Sequence, residues 1–186
     1  TAKEMDIEIL KEVVKLVETH MRAYHDKKQI PLLLMFIYLT GCRPAEALAL
    51  SVDDVKGKVI NIDKSLGSTD KETNVVIACK NPNSVRKIPI TDEVKEIVKD
   101  AIELSKNNIL FCDRFGNYRN STALGDSLYQ LTRKRGIQFN IYSMRHQFST
   151  DMVLKGIDAK TIQALMGHKN VSMTIEYART NDKAKM

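Results

Sequence analysis

The sequence lacks the cysteine patterns of a disulfide framework or a zinc site. Its three cysteines, Cys42, Cys79 and Cys112, are odd in number and widely spaced, and none belongs to a CxxC or a Cys/His pair at zinc-ligand spacing. No other cluster of potential metal ligands is visible, so the sequence predicts no metal and no other cofactor. We expect three reduced, mostly buried thiols in a cytosolic protein.

Long hydrophobic runs, targeting signals, repeats and linkers are also missing. The longest apolar run, residues 30–39, is about half the length that a membrane-spanning helix needs. The first ten residues carry no signal-peptide pattern. We therefore expect residues 1–186 to form a single domain in the cytoplasm of a prokaryotic cell, with no membrane partner. Because the chain starts with Thr1 rather than Met, we expect a piece of a longer protein.

Positive charge is in moderate excess. Lys and Arg outnumber Asp and Glu by 29 to 23, and the sequence pI is about 9.2. Such a surplus favours a polyanionic partner, most simply nucleic acid, but an ordinary basic surface explains it equally well. Apolar residues make up 43% of the chain, which is enough for a sizeable core.

Residue patterning predicts a mainly α fold with one small antiparallel β-sheet, an α+β class. Apolar periodicity, caps and stop signals predict helices over residues 5–24, 29–41, 43–50, 91–104, 121–136, 143–156, 158–167 and 172–178. Short β-branched runs predict strands over 58–63, 74–79 and 86–90, with a turn at 81–84 joining the last two.

Two arginines occupy positions that normally disfavour a cation. Arg43 lies at the start of a predicted helix, just before Pro44, and Arg145 lies in the first turn of another. A cation at an exposed helix N-terminus costs about 0.3–1 kcal/mol, whereas a bound phosphate there would favour it. Glu46, one turn into its helix, could hold the Arg43 guanidinium. The alternative is that both arginines lie on the surface.

Three further residues have both a structural and a chemical interpretation. Lys80 precedes the predicted turn, where a lysine is usually solvated, and His168 follows a helix-ending glycine, where it could interact with the helix C-terminus. Tyr177 lies one turn after Met173, a spacing typical of packing. Combined with the two arginines, however, they supply a nucleophile, a proton donor and cations that could surround one phosphate.

Four segments, in order, resemble the catalytic domain of the tyrosine recombinases, the family of phage integrases, Cre and the Xer proteins. Residues 40–50, TGCRPAEALAL, resemble the first arginine box, T-G-x-R-x-x-E-x-x-x-L, and residues 78–90 resemble the lysine hairpin. Residues 141–156 resemble the second arginine box, H-x-x-R-H-x-F. Residues 162–179 resemble the third, a Leu-Gly-His followed nine residues later by a tyrosine.

The resemblance implies a site-specific recombinase that acts on double-stranded DNA. Tyr177 would attack the scissile phosphate and leave a 3′-phosphotyrosyl link, and Lys80 would protonate the 5′ oxygen. The non-bridging oxygens would be held by Arg43, Arg145 and His168. The resemblance further implies supporting roles for Glu46 and His146, no requirement for metal or ATP, and assembly of the full-length protein into a tetramer on DNA.

Three features depart from the family pattern. Tyr142 replaces the usual first histidine of the second box, which alters charge stabilisation there and makes Tyr142 an alternative nucleophile. The segment from Lys80 to Pro89 is about one residue longer than usual, so Lys87 is the alternative catalytic lysine. Residues 65–73 resemble an inserted loop.

Several alternatives stay open within this interpretation. The variant second box and the Lys/Glu-rich composition are similar to those of archaeal virus integrases, yet a Xer-type resolvase is a close relative, and a type IB topoisomerase uses similar chemistry. A catalytically silent DNA-binding module would keep the same fold. The family's N-terminal DNA-clamping domain is not visible here, so we expect weak, poorly discriminating and salt-dependent DNA binding by this chain.

Overall fold

A computed structural model describes residues 7–79 and 81–169 of the chain. Seven α-helices lie within these residues. They are α1 Ile7–His20, α2 Tyr24–Thr40, α3 Pro44–Leu48, α4 Asp92–Leu104, α5 Ser121–Arg133, α6 Ser143–Leu154 and α7 Ala159–Met166. The predicted helix over 172–178 lies outside the described residues. Within the described ranges, no helix is both long and apolar enough to cross a membrane.

Five short strands accompany the helices, all paired antiparallel. They are β1 Val55–Lys56, β2 Val59–Ile62, β3 Lys64–Ser68, β4 Thr73–Ala78 and β5 Arg86–Pro89. The order β1-β2-β5 forms one sheet, with Ile60 opposite Ile88, and β3 and β4 form a separate hairpin. The predicted class, mainly α with little antiparallel β structure, is therefore confirmed.

Strand pairing differs from the prediction in two ways. The sequence predicted one sheet, but the described residues form two, and β4 and β5 pair with other strands rather than with each other. The segment 65–73, predicted as an inserted loop, is mostly strand: β3 runs through residue 68, and Thr69 accepts and donates hydrogen bonds with Glu72 to close the turn. The second strand of this hairpin was predicted, but β3 was not, because Leu66 is the only buried residue of that strand.

Helix α2 is the centre of the fold and packs against α1, α4 and α6. Its apolar residues are buried on several sides, which explains why its sequence is a continuous apolar run rather than a stripe. It begins five residues before the predicted start and continues through Pro31. A salt bridge between Asp26 in the first turn and Arg119, with an N–O distance of 2.7 Å, helps to hold that extra turn.

Helices α2 and α7 each end at a glycine with positive φ. Gly41 (φ 66°) ends α2, as predicted, and Gly167 (φ 65°) ends α7. A small apolar cluster of Phe148, Ile162 and Met166 joins α6 to α7 beside Gly41. The C-terminal ends of α2 and α7 are thereby brought to the first turn of α6.

Candidate phosphate-binding site

Arg43 occupies the N-cap of α3, as the sequence predicted, and Glu46 compensates for its charge. The Glu46 carboxylate accepts hydrogen bonds from the Arg43 backbone N–H at 2.9 Å and from Arg43 Nη1 at 2.7 Å. Pro44 at the first helical position fixes the backbone for this turn. The predicted Arg43–Glu46 contact is thus present, and Arg43 Nη2 also donates to the Gly167 carbonyl at 3.1 Å.

Arg145 is buried, so the alternative that it lies on the surface is wrong. Only 7% of the residue is exposed. Its guanidinium donates to the carbonyl oxygen of Gly41 and, at 2.6 Å, to that of Met166. Although Arg145 belongs to the first turn of α6, its charge lies at the C-terminal ends of α2 and α7, where a cation is favourable. This placement resolves the apparent conflict with the helix dipole.

Burial and neighbouring cations weaken the hold of Arg145 on its proton. Burial first, and repulsion from Arg43 and Arg86 in addition, lower the pKa of Arg145 to about 10. It remains a cation at neutral pH. Because Arg145 is desolvated, it attracts an incoming anion more strongly than it would in water. Two unit charges 4 Å apart interact by about 1 kcal/mol in water and by about 4 kcal/mol at an effective dielectric of 20.

A third arginine, Arg86 in β5, completes the cluster and was missed by sequence reasoning. Its side chain is 6% exposed. Its Nη1 donates to Glu46 Oε1 at 3.1 Å and its Nη2 donates to Glu46 Oε2 at 2.8 Å. Its Nε donates to the Leu165 carbonyl in α7 at 2.6 Å. The available signal was strand alternation: Arg86 and the buried Ile88 share a face, which points a charged side chain inward.

Glu46 is the shared anionic partner of Arg43 and Arg86. Glu46 is 2% exposed. Its two carboxylate oxygens accept hydrogen bonds from both guanidiniums and from the Arg43 backbone N–H. Burial raises the pKa of Glu46, but the hydrogen bonds and charge of Arg86, with those of Arg43, outweigh burial and lower it below 4.5. Three guanidiniums around one carboxylate leave a net positive charge.

His168 lies directly after Gly167 and next to the arginine cluster. It is 4% exposed, and its backbone N–H donates to the Gln163 carbonyl at 3.2 Å. Burial, followed by repulsion from Arg145 and Arg43, lowers the pKa of His168 to about 4. The imidazole is therefore neutral at pH 7 in the absence of an anion. A neutral imidazole is a hydrogen-bond donor at one ring nitrogen.

The second box places Tyr142 and His146 on either side of Arg145. Tyr142 is 48% exposed just before α6, and its backbone N–H donates to Asn140 Oδ1 at 2.8 Å. His146 is exposed, and its remaining burial together with the charge of Arg145 lowers its pKa. The structure thus brings Arg43, Arg145, His168 and Glu46 together. Tyr142 directly precedes α6, one turn before Arg145.

Two predicted site residues, Lys80 and Tyr177, lie outside the described residues. The alternative lysine, Lys87, is exposed and follows Arg86 in β5, so strand alternation points it away from the face that carries Arg86. All three cysteines are free thiols, and Cys42 and Cys112 are buried, as expected. Among residues 7–79 and 81–169, no group of three or more His, Cys, Asp or Glu side chains could hold a metal ion.

The buried Arg145 and Arg86, the partly exposed Arg43 and a neutral histidine donor define a site that can bind a phosphate group and stabilise added negative charge on it. The carbonyl groups at the C-terminal ends of α2 and α7 hold Arg145 in this site. Residues 8–184 match the model of the phage integrase family, and the chain belongs to that family. The resemblance that the four segments indicated is therefore confirmed.

Curated relatives carry names from the same family. Tyrosine recombinase XerC of Rickettsia canadensis is 28% identical over 175 residues, which are 88% of this chain and 52% of that protein. Tyrosine recombinase XerA of Pyrococcus furiosus is 27% identical over 92% of this chain and 56% of that protein. Transposase A from transposon Tn554 of Staphylococcus aureus is 25% identical over 93% and 48%. The chain spans about half the length of these relatives.

Solved structures confirm the predicted catalytic-domain fold. The Tn1549 transposon integrase in complex with circular intermediate DNA superposes with a TM-score of 0.81 at 20% identity, over 99% of this chain and 67% of that one. The crystal structure of XerA recombinase gives 0.68 at 19% identity, over 95% and 58%.

Proposed function

We propose that the protein containing this chain is a site-specific DNA recombinase that cleaves and rejoins duplex DNA through a 3′-phosphotyrosyl intermediate. One observation carries the proposal: Arg43, Arg145 and His168, which are far apart in sequence, meet at the C-terminal end of α7 in a chain of the phage integrase family. The names of the relatives, which are recombinases and transposases, support it.

The proposed reaction exchanges one phosphodiester for another. The Tyr177 hydroxyl releases its proton to solvent as its oxygen forms a bond to phosphorus, and the bond from phosphorus to the 5′ oxygen breaks. Lys80 supplies the proton that the 5′ oxygen needs and is reprotonated from solvent. Arg43 and Arg145 offset the charge that develops on the non-bridging oxygens, and His168 donates a hydrogen bond to them. A 5′-hydroxyl from a partner duplex then reverses the steps. The bond energy stays in the intermediate, so the cycle needs neither ATP nor a metal.

The exposed, outward position of Lys87 supports Lys80 as the proton donor. Tyr142 is about half exposed and lies one turn before Arg145, and we assign it a supporting hydrogen bond to the DNA rather than the attack. His146, beside Arg145 in the same helix, supports the same phosphate site. These roles rest on the family resemblance and on the positions of the described residues.

Further roles are proposed for the full-length protein. Because the chain spans about half of its relatives, we assign it the catalytic domain and assign DNA clamping and tetramer assembly to the full-length protein. The Tn554 and Tn1549 relatives favour a mobile-element or viral integrase, whereas the Xer relatives favour resolution. Three free thiols and DNA as substrate support action in a prokaryotic cytoplasm.

A nicked suicide substrate tests the proposed chemistry. DNA with the attachment site of the parent element is incubated with native chain, Tyr177→Phe and Tyr142→Phe in EDTA, and SDS-resistant protein–DNA adducts are measured. We expect adduct from the native chain and Tyr142→Phe but none from Tyr177→Phe. Absence of adduct from every version, including one made as the full-length protein, would indicate a silent DNA-binding module instead.

A further inference from the structure

Arg86 connects three separate parts of the site. Its Nη atoms hold Glu46 in α3, its Nε holds the Leu165 carbonyl in α7, and Nη1 also donates to the Ser84 carbonyl at 2.9 Å. The side chain is nearly as buried as that of Glu46. One guanidinium therefore fixes the distances between the helix of Arg43, the helix end before His168, and the segment that follows Lys80.

The end of α7 lies unusually close to this segment. A Cβ atom on Gly167 would fall 2.9 Å from Arg86 Nη1, 3.1 Å from the Asn83 carbonyl oxygen and 3.2 Å from Ser84 Cα. Contacts below 3.4 Å leave almost no room for a side chain. The close approach means that a small shift of Arg86 moves Gly167, and with it His168, the next residue.

Charge balance gives Arg86 a second effect on the site. Glu46 carries one negative charge and contacts two guanidiniums. If Arg86 were absent, Arg43 would be left as the ion-pair partner of this carboxylate among the described residues, and the charge of Arg43 would be largely cancelled. With Arg86 present, the Glu46 charge is balanced and the positive charge of Arg43 remains available to a phosphate.

We propose that Arg86 is a positioning residue for phosphate cleavage: it anchors the α7 end that carries His168 and balances Glu46 so that Arg43 keeps its charge for the substrate. The cleavage part of this inference rests on the proposed function. The anchoring part concerns the folded chain alone and is measured separately.

Arg86→Met removes all four hydrogen bonds while keeping much of the side-chain volume. Arg119→Met is the matched control, because Arg119 is also a buried arginine with one carboxylate partner, Asp26 at 2.7 Å, and one backbone acceptor, the Cys112 carbonyl at 3.0 Å. The Arg119 partners lie outside the phosphate site. Both variants are compared with the native chain at a temperature at which thermal melts show all three to be folded.

The first readout separates binding from cleavage. For Arg86→Met we expect a single-turnover cleavage rate on the nicked substrate about 100-fold below the native rate, as small misplacement of reacting groups produces, with a DNA Kd close to the native value. Arg119→Met should cleave at close to the native rate. A folded Arg86→Met that cleaves as fast as Arg119→Met would overturn the proposal, as would a loss of rate accounted for by a loss of DNA binding.

The second readout does not depend on cleavage. Amide hydrogen exchange is followed at Gly167 and His168, whose N–H groups bond the Ala164 and Gln163 carbonyls, and at the α4 interior as a reference. Arg86→Met should speed exchange at Gly167 and His168 about tenfold relative to α4, as a local opening does. Arg119→Met should not. Exchange that rises equally in α4 and at the α7 end would show global destabilisation and overturn the anchoring.

The two readouts distinguish failure of the proposed function from failure of the role assigned to Arg86. If the native full-length protein forms no adduct, the proposed function fails, and the exchange measurement still decides whether Arg86 anchors the α7 end. If the native protein cleaves and Arg86→Met cleaves equally well, the proposed function stands and the positioning role fails.

Discussion

At the scale of single residues, the site depends on one buried carboxylate between two arginines. Glu46 holds Arg43 through its side chain and backbone and holds Arg86 through two parallel hydrogen bonds. A buried charge is costly unless it is paired and hydrogen-bonded, and both conditions are met here. Removing the carboxylate leaves two guanidiniums without their shared counter-charge.

Glu46→Gln should lower the free energy of unfolding at pH 7 by about 3 kcal/mol, the lower range for breaking a buried pair. The pKa of Glu46 is lowered in the folded chain, so its carboxylate stabilises the fold above pH 4.5, and this contribution is lost as pH falls through the folded-state pKa. The difference between native and variant should therefore shrink on acidification. Urea unfolding at pH 7 and at about pH 3 measures it.

Glu12→Gln is the control for this measurement, because Glu12 is exposed in α1 and should change the free energy of unfolding by less than about 0.5 kcal/mol. A difference between Glu46→Gln and native chain that persists undiminished at acid pH would contradict the assigned role of the carboxylate.

Sequence reasoning singled out the arginines that break a local rule and missed the one whose environment depends on distant segments. Arg43 and Arg145 were detectable because each lies at a helix N-terminus, and Glu46 because it falls one turn from Arg43. Arg86 has no such local conflict, since an arginine in a short strand is ordinary until its cross-chain partners, Glu46 and Leu165, are known.

At the scale of elements, the junction of α2 with α6 brings Arg145 to its acceptor. Gly41 ends α2 with φ 66°, and its carbonyl accepts from the Arg145 guanidinium. A Cβ atom at Gly41 would overlap the Phe148 ring of α6. The absence of a side chain is therefore needed both for the left-handed backbone and for the approach of the two helices.

Gly41→Ala should lower the free energy of unfolding by about 2–4 kcal/mol, which combines left-handed strain with overpacking against Phe148. Gly136→Ala separates the two effects. Gly136 also has a positive φ, 70°, but a Cβ atom there would meet nothing within 4 Å, so only about 1 kcal/mol of strain is expected. Urea unfolding of both variants gives the comparison, and equal losses would mean that the Phe148 contact is relieved without cost.

Helices were more predictable than strand pairing for a physical reason. Caps and stops act within one turn: Thr91 accepts from the Val94 N–H at the start of α4, and Gly41 ends α2 at the predicted residue. Pairing depends on register between distant segments, and β5 pairs with β2 although β4 is nearer in sequence. Strand β4 was predicted, but β3 has only one buried apolar residue, so its pattern indicated a loop.

At the scale of the whole molecule, a net charge of +6 and the buried arginines predict electrostatic DNA binding. If three phosphates are contacted, affinity should fall about 40-fold between 50 mM and 200 mM salt, from a slope near −0.9 per contact. Arg43→Gln should make the slope shallower by about one contact, whereas Arg119→Gln should leave it unchanged. Fluorescence anisotropy on duplex DNA measures the slope. Affinity that is independent of salt would contradict phosphate contact.

The family and fold were predictable at this scale because four motifs in fixed order carry more information than any one of them. The match over residues 8–184 and the TM-score of 0.81 bear out that prediction.

The central claim is that Tyr177 forms the covalent bond to DNA, and trypsin separates it from its alternative. Cleavage after Lys169 and Arg179 places Tyr177 in NVSMTIEYAR, whereas cleavage after Arg135 and Arg145 places Tyr142 in GIQFNIYSMR. The adduct from the suicide substrate is trimmed with nuclease, digested and sequenced by mass spectrometry. The account predicts a nucleotide on the tyrosine of NVSMTIEYAR. A nucleotide on GIQFNIYSMR, or on any residue other than Tyr177, would contradict it.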